Sequence, residues 1–397
     1  MVIRVAAVVE QLWHKVPGGT ARTTINTLSA FSADIDVVGL AANHRSIRRD
    51  DVYEQDLASV RGLRSVQHSR WPRPVMYERW LRSAAPSADF DLDDVAVVWA
   101  GAGICPPTKL PTVATVHDVD FLVHPDRLSR RGRNFFPRMW EVVQARADRI
   151  VCPSKVVADQ CLAFGADASR VEVIPWGVEL PDDVAKRESV WPRPVPRSLS
   201  REDSAIDREM LNNLGVEETY ALWVGTREPR KNLRGLYEAF GQMPEIQLVV
   251  VGPQGWGSAH PNMMNPAGNL ARVKDLGEVP ESLLQVLYNS ASVFVFPSHD
   301  EGFGLPVLEA MAHGVPVITS ATTATAEVAG DAARLIDPKK PSEIADAVRQ
   351  IIGDGTVAAA MRQSSLRQAK QMSWQSTAAA YSKIFHELVE SPRSVMQ

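Results

Sequence analysis

The stretch that most constrains this chain is an apolar run ending on a glycine loop. Ser292-Val293-Phe294-Val295-Phe296-Pro297-Ser298 shows no alternation and reads as a strand buried on both faces of a parallel sheet. His299-Asp300-Glu301-Gly302-Phe303-Gly304 follows, and an apolar helix opens at Leu305-Pro306-Val307-Leu308-Glu309. Strand, glycine loop and helix in that order belong to an α/β fold. The order brings backbone N–H groups and the positive end of a helix to the carboxyl edge of the sheet, a natural seat for a diphosphate. Glu309 is expected about five residues into the helix, roughly 7.5 Å along its axis, while Glu301 stays on the loop. One carboxylate can then accept hydroxyls on one flank of a diphosphate and the other on the far flank. A molecule with sugars on both sides of a diphosphate is a nucleotide sugar. The plain alternative is a solvated loop glutamate and a helix-surface glutamate, which the strand before them and the glycines between them argue against.

A chain of 397 residues is too long for one core and is expected to fold as two domains. With 45% hydrophobic and 23% charged residues it has the balance of a soluble protein, and a net charge of −4 argues against a nucleic-acid partner. Cys105, Cys152 and Cys161 form neither a CxxC pair nor an even set, which suits a reducing, cytoplasmic setting. No run reaches the roughly 18 apolar residues of a membrane span. The opening run, Val2 to Glu10, is too short for a signal peptide and lacks a small-residue cleavage site, so it reads as the first strand.

After that strand come His14-Lys15-Val16-Pro17-Gly18-Gly19-Thr20 and a helical stretch to about Phe31. Gly18 and Gly19 fit either a tight turn or a backbone that lets a ligand come close. Strands are expected at 35–40, 95–99 and 111–116, the last running straight into His117. A polar residue just past a parallel strand faces the ligand crevice of an open α/β sheet, although a lone histidine is more often structural. The segment from Arg61 to Arg82 mixes Trp71, Tyr77 and Trp80 with arginines and yields no clear element. Arg130 to Asp148 reads as a helix with Phe135, Phe136, Met139, Trp140 and Val143 on one face. Either that face packs on the core with a solvated basic edge, or it makes peripheral contact with an anionic membrane surface. A basic lip would also suit an acceptor carrying phosphate. Further strands at 149–153 and 171–175 close this half, and residues 181–203, with Pro181, Pro192, Pro194 and Pro196, read as a linker. The domains are therefore expected at 1–180 and 204–374.

The second half restarts the alternation. A strand at 220–224 leads into Gly225-Thr226-Arg227-Glu228-Pro229-Arg230-Lys231-Asn232, so three cations stand at a strand end, with Asn232 as a helix N-cap. The plain reading of these cations is a basic surface turn. A strand at 246–251 ends in the glycine-rich loop 252–257, which lacks the closing Gly-Lys-Ser/Thr of a P-loop. Gly277-Glu278-Val279-Pro280 precedes a helix at 282–291, and a last helix from Trp374 to Val389 carries Ala378, Tyr381, Ile384, Phe385 and Leu388 in one stripe.

Taken together, Glu301-Gly302-Phe303-Gly304-Leu305-Pro306 with Glu309, the Gly225–Asn232 loop and His117 resemble the signature of retaining glycosyltransferases of the GT-B fold. The resemblance is specific over the second half and looser over the first, and within the family it is most similar to bacterial mannosyltransferases. It implies two Rossmann-like doubly wound α/β domains facing across a cleft, with the C-terminal helix at 375–397 packing back on the first. It implies that Glu309 holds the ribose and Glu301 the donor hexose. Lys231 would grip the diphosphate, with Arg227 or Arg230 standing in for the arginine that many members carry where this chain has Thr226. The backbone around Val279 would meet the base, with the Gly302–Leu305 turn under the diphosphate. It tips Gly18 and Gly19 toward the ligand-approach reading and places His117 beside the reactive side of the donor sugar. Trp176 departs from the family's asparagine before Gly177-Val178. The reaction implied is transfer of a hexose, mannose from GDP-mannose being the first expectation, to a glycan, lipid-linked or small-molecule acceptor. It is expected to proceed by a front-face mechanism that needs no cofactor and no metal. Two DxD strings, Asp91-Leu92-Asp93 and Asp118-Val119-Asp120, form no convergent oxygen set in the sequence. The other readings are a nucleotide-sugar epimerase, for which no further acid–base cluster is found, and a non-catalytic nucleotide-sugar binder.

Overall fold

The computed structural model describes residues 2–13, 18–44, 60, 62–83, 85, 89–181, 203–255 and 272–390, with the backbone alone at 203–206. Contacts divide the chain into two compact units. One is built chiefly from Met1–Gly177 and Trp374–Gln397, the other from Val178–Ser189 and Arg193–Ser373. The expected linker falls almost wholly on 182–202, outside the described residues.

Each unit is a parallel sheet flanked by helices, a doubly wound Rossmann-like arrangement. In the first, the described strands are β1 (Ile3–Val8), β2 (Ile35–Ala41), β3 (Leu63–His68), β4 (Val97–Ala100), β5 (Thr112–Thr115), β6 (Arg149–Cys152) and β7 (Val171–Val173), in the order β3-β2-β1-β4-β5-β6-β7. In the second they are β8 (Tyr220–Val224), β9 (Gln247–Val251), β10 (Val273–Gly277), β11 (Val293–Phe296), β12 (Val317–Ser320) and β13 (Ala333–Ile336), in the order β10-β9-β8-β11-β12-β13. Both orders reverse direction once, between β1 and β4 and between β8 and β11. Ligands of open α/β sheets bind outside the carboxyl ends of the strands at such a reversal.

The central strands form where the apolar runs predict them: every residue of β4, β5, β8, β9, β11 and β12 is buried. The strands that the apolar runs do not predict, β3, β10 and β13, all lie at sheet edges. Most of their side chains are exposed or half-buried, as in Leu63-Arg64-Ser65-Val66-Gln67-His68, where Leu63 alone is buried, so no continuous run marks them. The helix Gly355–Lys370 escapes for a similar reason, since its buried residues include only Ser365 and Ala369.

The last described helix, Trp374–Glu390, belongs to the core of the first unit. Tyr381, Ile384, Phe385 and Leu388 pack with Val5, Ala7, Val97, Trp99 and Val113. Trp99 Nε1 donates to Thr115 Oγ1 at 3.0 Å, and that hydroxyl bonds Tyr381 at 2.7 Å. Removing the fully buried Phe385 side chain should cost about 3–5 kcal/mol. Urea unfolding of Phe385→Ala against the exposed-site control Lys383→Ala measures it; equal midpoints would show that the helix is not part of this core.

Candidate active site

The reversal point of the second unit joins two loops. The loop after β8 ends in a tight turn, Pro229–Lys231, and passes through Asn232 in the left-handed region at φ 56°. Asparagine tolerates that conformation better than most side chains, and here its amide is put to use. Oδ1 accepts from Gly235 N–H at 3.2 Å, while Nδ2 donates to the carbonyls of Pro297 at 3.0 Å and Pro338 at 2.7 Å. Asn232 therefore caps the helix Leu233–Phe240 and ties its loop to the segments that follow β11 and β13. A backbone bond from His299 N–H to Arg230 O at 2.7 Å adds a second tie. Gly304, at φ 97°, ends the other loop and opens the helix Leu305–Ala312; a Cβ there would lie 2.5 Å from Thr325 Cγ2. At the end of β9, Gly252 has φ 135°, and a Cβ would sit 2.0 Å from the Gly225 carbonyl.

These ties bring Lys231 onto Glu301. Lys231 Nζ donates to Glu301 Oε1 at 2.5 Å, and both residues are buried. The ammonium also lies 5.0 Å from the centroid of the Phe296 ring. Arg230 approaches Glu301 Oε2 at 3.4 Å and donates to Glu228 at 2.7 Å. Burial alone would raise the Glu301 carboxyl; the Lys231 and Arg230 charges overcome it and hold the group below its ordinary value. For Lys231 burial prevails and the ammonium is lowered, with Glu301 opposing that shift and Arg230 adding to it.

The other predicted residues of this unit take separate places. Arg227 is buried and forms a two-pronged ion pair with Asp275 of β10, so its guanidinium braces the loop leading to Val279 instead of joining Glu301. Of the two arginines, only Arg230 reaches the Lys231–Glu301 pair. Val279 is half-buried in the loop after β10. Glu309 is the fifth residue of its helix and is half-buried; Tyr288 Oη donates to it at 3.1 Å. Tyr288 is itself buried and stacks on His313, with ring centroids 5.3 Å apart. Phe303 and Leu305 are buried under the loop, and Gly302 is half-buried.

In the first unit, His117 follows β5 and donates from Nε2 to the Gly101 carbonyl, just past β4, at 2.7 Å. This places it at the reversal between β1 and β4. Burial lowers its pKa, opposed by the Gly101 bond and Asp118. Trp176 packs on the imidazole with centroids 5.2 Å apart, so this departure from the resembling pattern supplies an aromatic wall to His117. Gly18 caps the helix Gly19–Ala30 with an ordinary φ of −77°, and a Cβ on it would meet nothing within 4 Å. Within this unit neither strain nor crowding demands a glycine there.

The comparisons with known proteins agree over both halves. A family model described as Glycosyl transferases group 1 matches residues 209–370, and one described as Glycosyltransferase Family 4 matches 17–181. The second unit thus matches the group 1 glycosyltransferase model and the first the family 4 model, each over about two fifths of the chain. The chain is 40% identical over 162 residues to the O-antigen chain mannosyltransferase B of Escherichia coli, covering 39% of this chain and 42% of that protein. It is 31% identical over 252 residues to a D-inositol 3-phosphate glycosyltransferase of Rhodococcus jostii, covering 59% and 52%. The chain thus spans about half the length of these curated relatives. Among solved structures, Anabaena HepE in complex with UDP and glucose matches with a TM-score of 0.71 at 16% identity, covering 97% of this chain and all of that one. Sucrose-phosphate synthase from Thermosynechococcus elongatus matches with the same TM-score at 18% identity, covering 98% and 99%. The fold is GT-B.

The sequence did not single out Asn232 as a tie between loops, Asp275 as the partner of Arg227, or Tyr288 as the partner of Glu309. Each depends on elements far apart in the chain, and only the helix-capping role of Asn232 has a local signal. Lys231→Met should leave a buried carboxylate short of its main partner and cost about 3–5 kcal/mol, most of it recovered in Lys231→Met/Glu301→Leu. Because the folded-state pKa of Glu301 lies below its ordinary 4.5, its contribution is present above that pH and lost as pH falls below it. Urea titrations from pH 7 to pH 3 should show that acid loss in the native chain and a smaller one in the double variant. Equal stability of the single and double variants would contradict the pairing.

Proposed function

We propose that this chain transfers a hexose, with retention of anomeric configuration, from a nucleotide sugar to a glycan, lipid-linked or small-molecule acceptor. The observation that carries this reading is the Lys231–Glu301 pair at the reversal between β8 and β11, beside the start of the helix Leu305–Ala312. Cleavage of a sugar–phosphate bond builds negative charge on the departing diphosphate. Lys231, Arg230 and the helix end are fixed before the reaction and can stabilise that charge without reorganising. A lysine has three N–H donors; one is held by Glu301, leaving the others for phosphate oxygens.

In this reading Glu301 serves two purposes. It holds Lys231 in place, and its remaining lone pairs accept donor-sugar hydroxyls. Glu309, oriented by Tyr288, receives the ribose hydroxyls. Arg227 supports the loop of Val279 near the base. His117 stabilises the charge developing on the sugar, and a phosphate oxygen takes the acceptor's proton on the face from which the phosphate leaves. No metal or other cofactor is needed for these roles. The mannosyltransferase relative favours mannose, and GDP-mannose is the donor we propose. Among the described residues no helix is long and apolar enough to cross a membrane.

Lys231→Ala and Glu301→Ala should each lower the transfer rate by roughly 10²–10³-fold, the scale seen when a preorganised charge stabiliser is removed. Steady-state transfer assays with GDP-mannose measure this; rates within a factor of two of the native chain would remove both residues from the mechanism. GDP-mannose at about 100 times its Kd should stabilise the native chain by about 2.7 kcal/mol, seen as a rise in Tm that UDP-glucose does not give. A rise with UDP-glucose alone would replace the proposed donor. Addition of EDTA should leave the rate unchanged, and loss of activity restored by manganese would overturn the metal-free reading.

A further inference from the structure

Behind Glu309 two helices of the second unit are locked together by four side chains. The helix Glu281–Ser290 supplies the neighbours Tyr288 and Asn289. The helix Leu305–Ala312 supplies Glu309 and, at its C-cap, His313. Tyr288 is 1% exposed, and its hydroxyl donates to Glu309 Oε2 at 3.1 Å. Its ring lies nearly parallel to the His313 imidazole, with planes 16° apart and centroids 5.3 Å apart. It also packs on Phe294 of β11, centroid to centroid 5.8 Å. His313 is anchored in turn: its Nδ1 bonds Asn289 Oδ1 at 2.5 Å, and its backbone N–H donates to the Glu309 carbonyl at 3.2 Å. Burial pushes the imidazole pKa down to about 4, against the charge of Glu281, so the ring is neutral at neutral pH. An amide oxygen only accepts, so Nδ1 carries the proton and donates it. Glu309 is half-buried and not sealed off from solvent.

A glutamate side chain turns about several bonds, and ordering it at the moment of binding costs affinity. We propose that Tyr288 and His313 are positioning residues for the donor nucleotide: neither touches it, and together they fix the Glu309 carboxylate in the orientation that receives the ribose hydroxyls. This rests on the reading of Glu309 as the ribose acceptor, and it names what makes that site selective for a ribonucleotide. The Tyr288 hydroxyl takes one of the roughly four lone-pair sites of the carboxylate and sets its plane. The His313 ring, held by Asn289, keeps that hydroxyl from swinging away. The brace is built from two helices and shares no hydrogen bond with the Lys231–Glu301 pair, whose bonds run to each other and to Arg230. Loosening it should therefore be felt at the ribose and not at the diphosphate.

Isothermal titration of the full chain with GDP and with 2′,3′-dideoxy-GDP tests this. The native chain should bind GDP roughly ten-fold or more tightly than the dideoxy form, the scale of hydrogen bonds to a charged group. Tyr288→Phe, which removes only the hydroxyl, and His313→Ala should each weaken GDP by about five-fold and leave dideoxy-GDP unchanged within about two-fold. In a Glu309→Ala background, Tyr288→Phe should alter GDP affinity by less than about two-fold, because the group it positions is gone. A purely structural role would lower Tm without that coupling. Native-like GDP binding by Tyr288→Phe, equal losses for both nucleotides, or an undiminished effect of Tyr288→Phe without Glu309 overturns the proposal. Tyr288→Phe decides the matter if His313→Ala does not fold. A native chain that binds both nucleotides equally removes Glu309 from the ribose, and so overturns the reading beneath the proposal together with it. If the native chain takes UDP in place of GDP, only the proposed donor falls, and UDP against 2′,3′-dideoxy-UDP supplies the same comparison.

Discussion

The second unit depends on one contact, the buried ion pair of Lys231 and Glu301. Taking two charges out of water costs several kcal/mol each, and their attraction offsets that only when the geometry is tight and the remaining polar atoms are served. Several local features of the chain support it. Asn232 accepts a left-handed backbone so that its amide can join three segments. Gly304 and Gly252 occupy positions where a Cβ would strike a neighbour. Arg230 covers the second oxygen of Glu301 and is itself held by Glu228. All of them act at the reversal of strand order, where β8 and β11 deliver their loops side by side. A charged pair held this firmly can meet a charged substrate without first having to assemble.

The first unit is organised differently. At its reversal the buried Glu10 bonds His44, and the His117 imidazole donates to the Gly101 carbonyl. Its core is completed from the far end of the sequence, because Tyr381 and Phe385 fill space beside Trp99 and Val113. Thr115 shows how closely that core adjoins the functional edge. Its hydroxyl joins Trp99 to Tyr381 two residues before His117, so the C-terminal helix helps to hold the strand that presents the histidine.

What could be read from the sequence follows from where the information lies. Central strands such as β8 and β11 are uniformly apolar and stand out, whereas the edge strands β3, β10 and β13 are half solvated and do not. Lys231, Glu301 and His117 stand just past such strands, so their place at a carboxyl edge was legible. That Lys231 and Glu301 touch was not, because it depends on β11 inserting next to β8, a pairing across some seventy residues. Arg227 and Arg230 were indistinguishable as neighbouring cations; only the position of Asp275 on β10 separates them. Glu10 read as the last residue of a strand, and nothing local shows that its carboxylate turns inward to Ala42 and His44.

The account stands on the pair between β8 and β11 being the seat of a diphosphate. The most direct measurement is a crystal structure of the chain soaked with GDP. The account predicts a phosphate oxygen within about 3 Å of Lys231 Nζ, close to the start of the helix at Leu305, with Glu301 still bonded to the lysine. A diphosphate bound elsewhere, with Lys231 and Glu301 facing only each other, would contradict it.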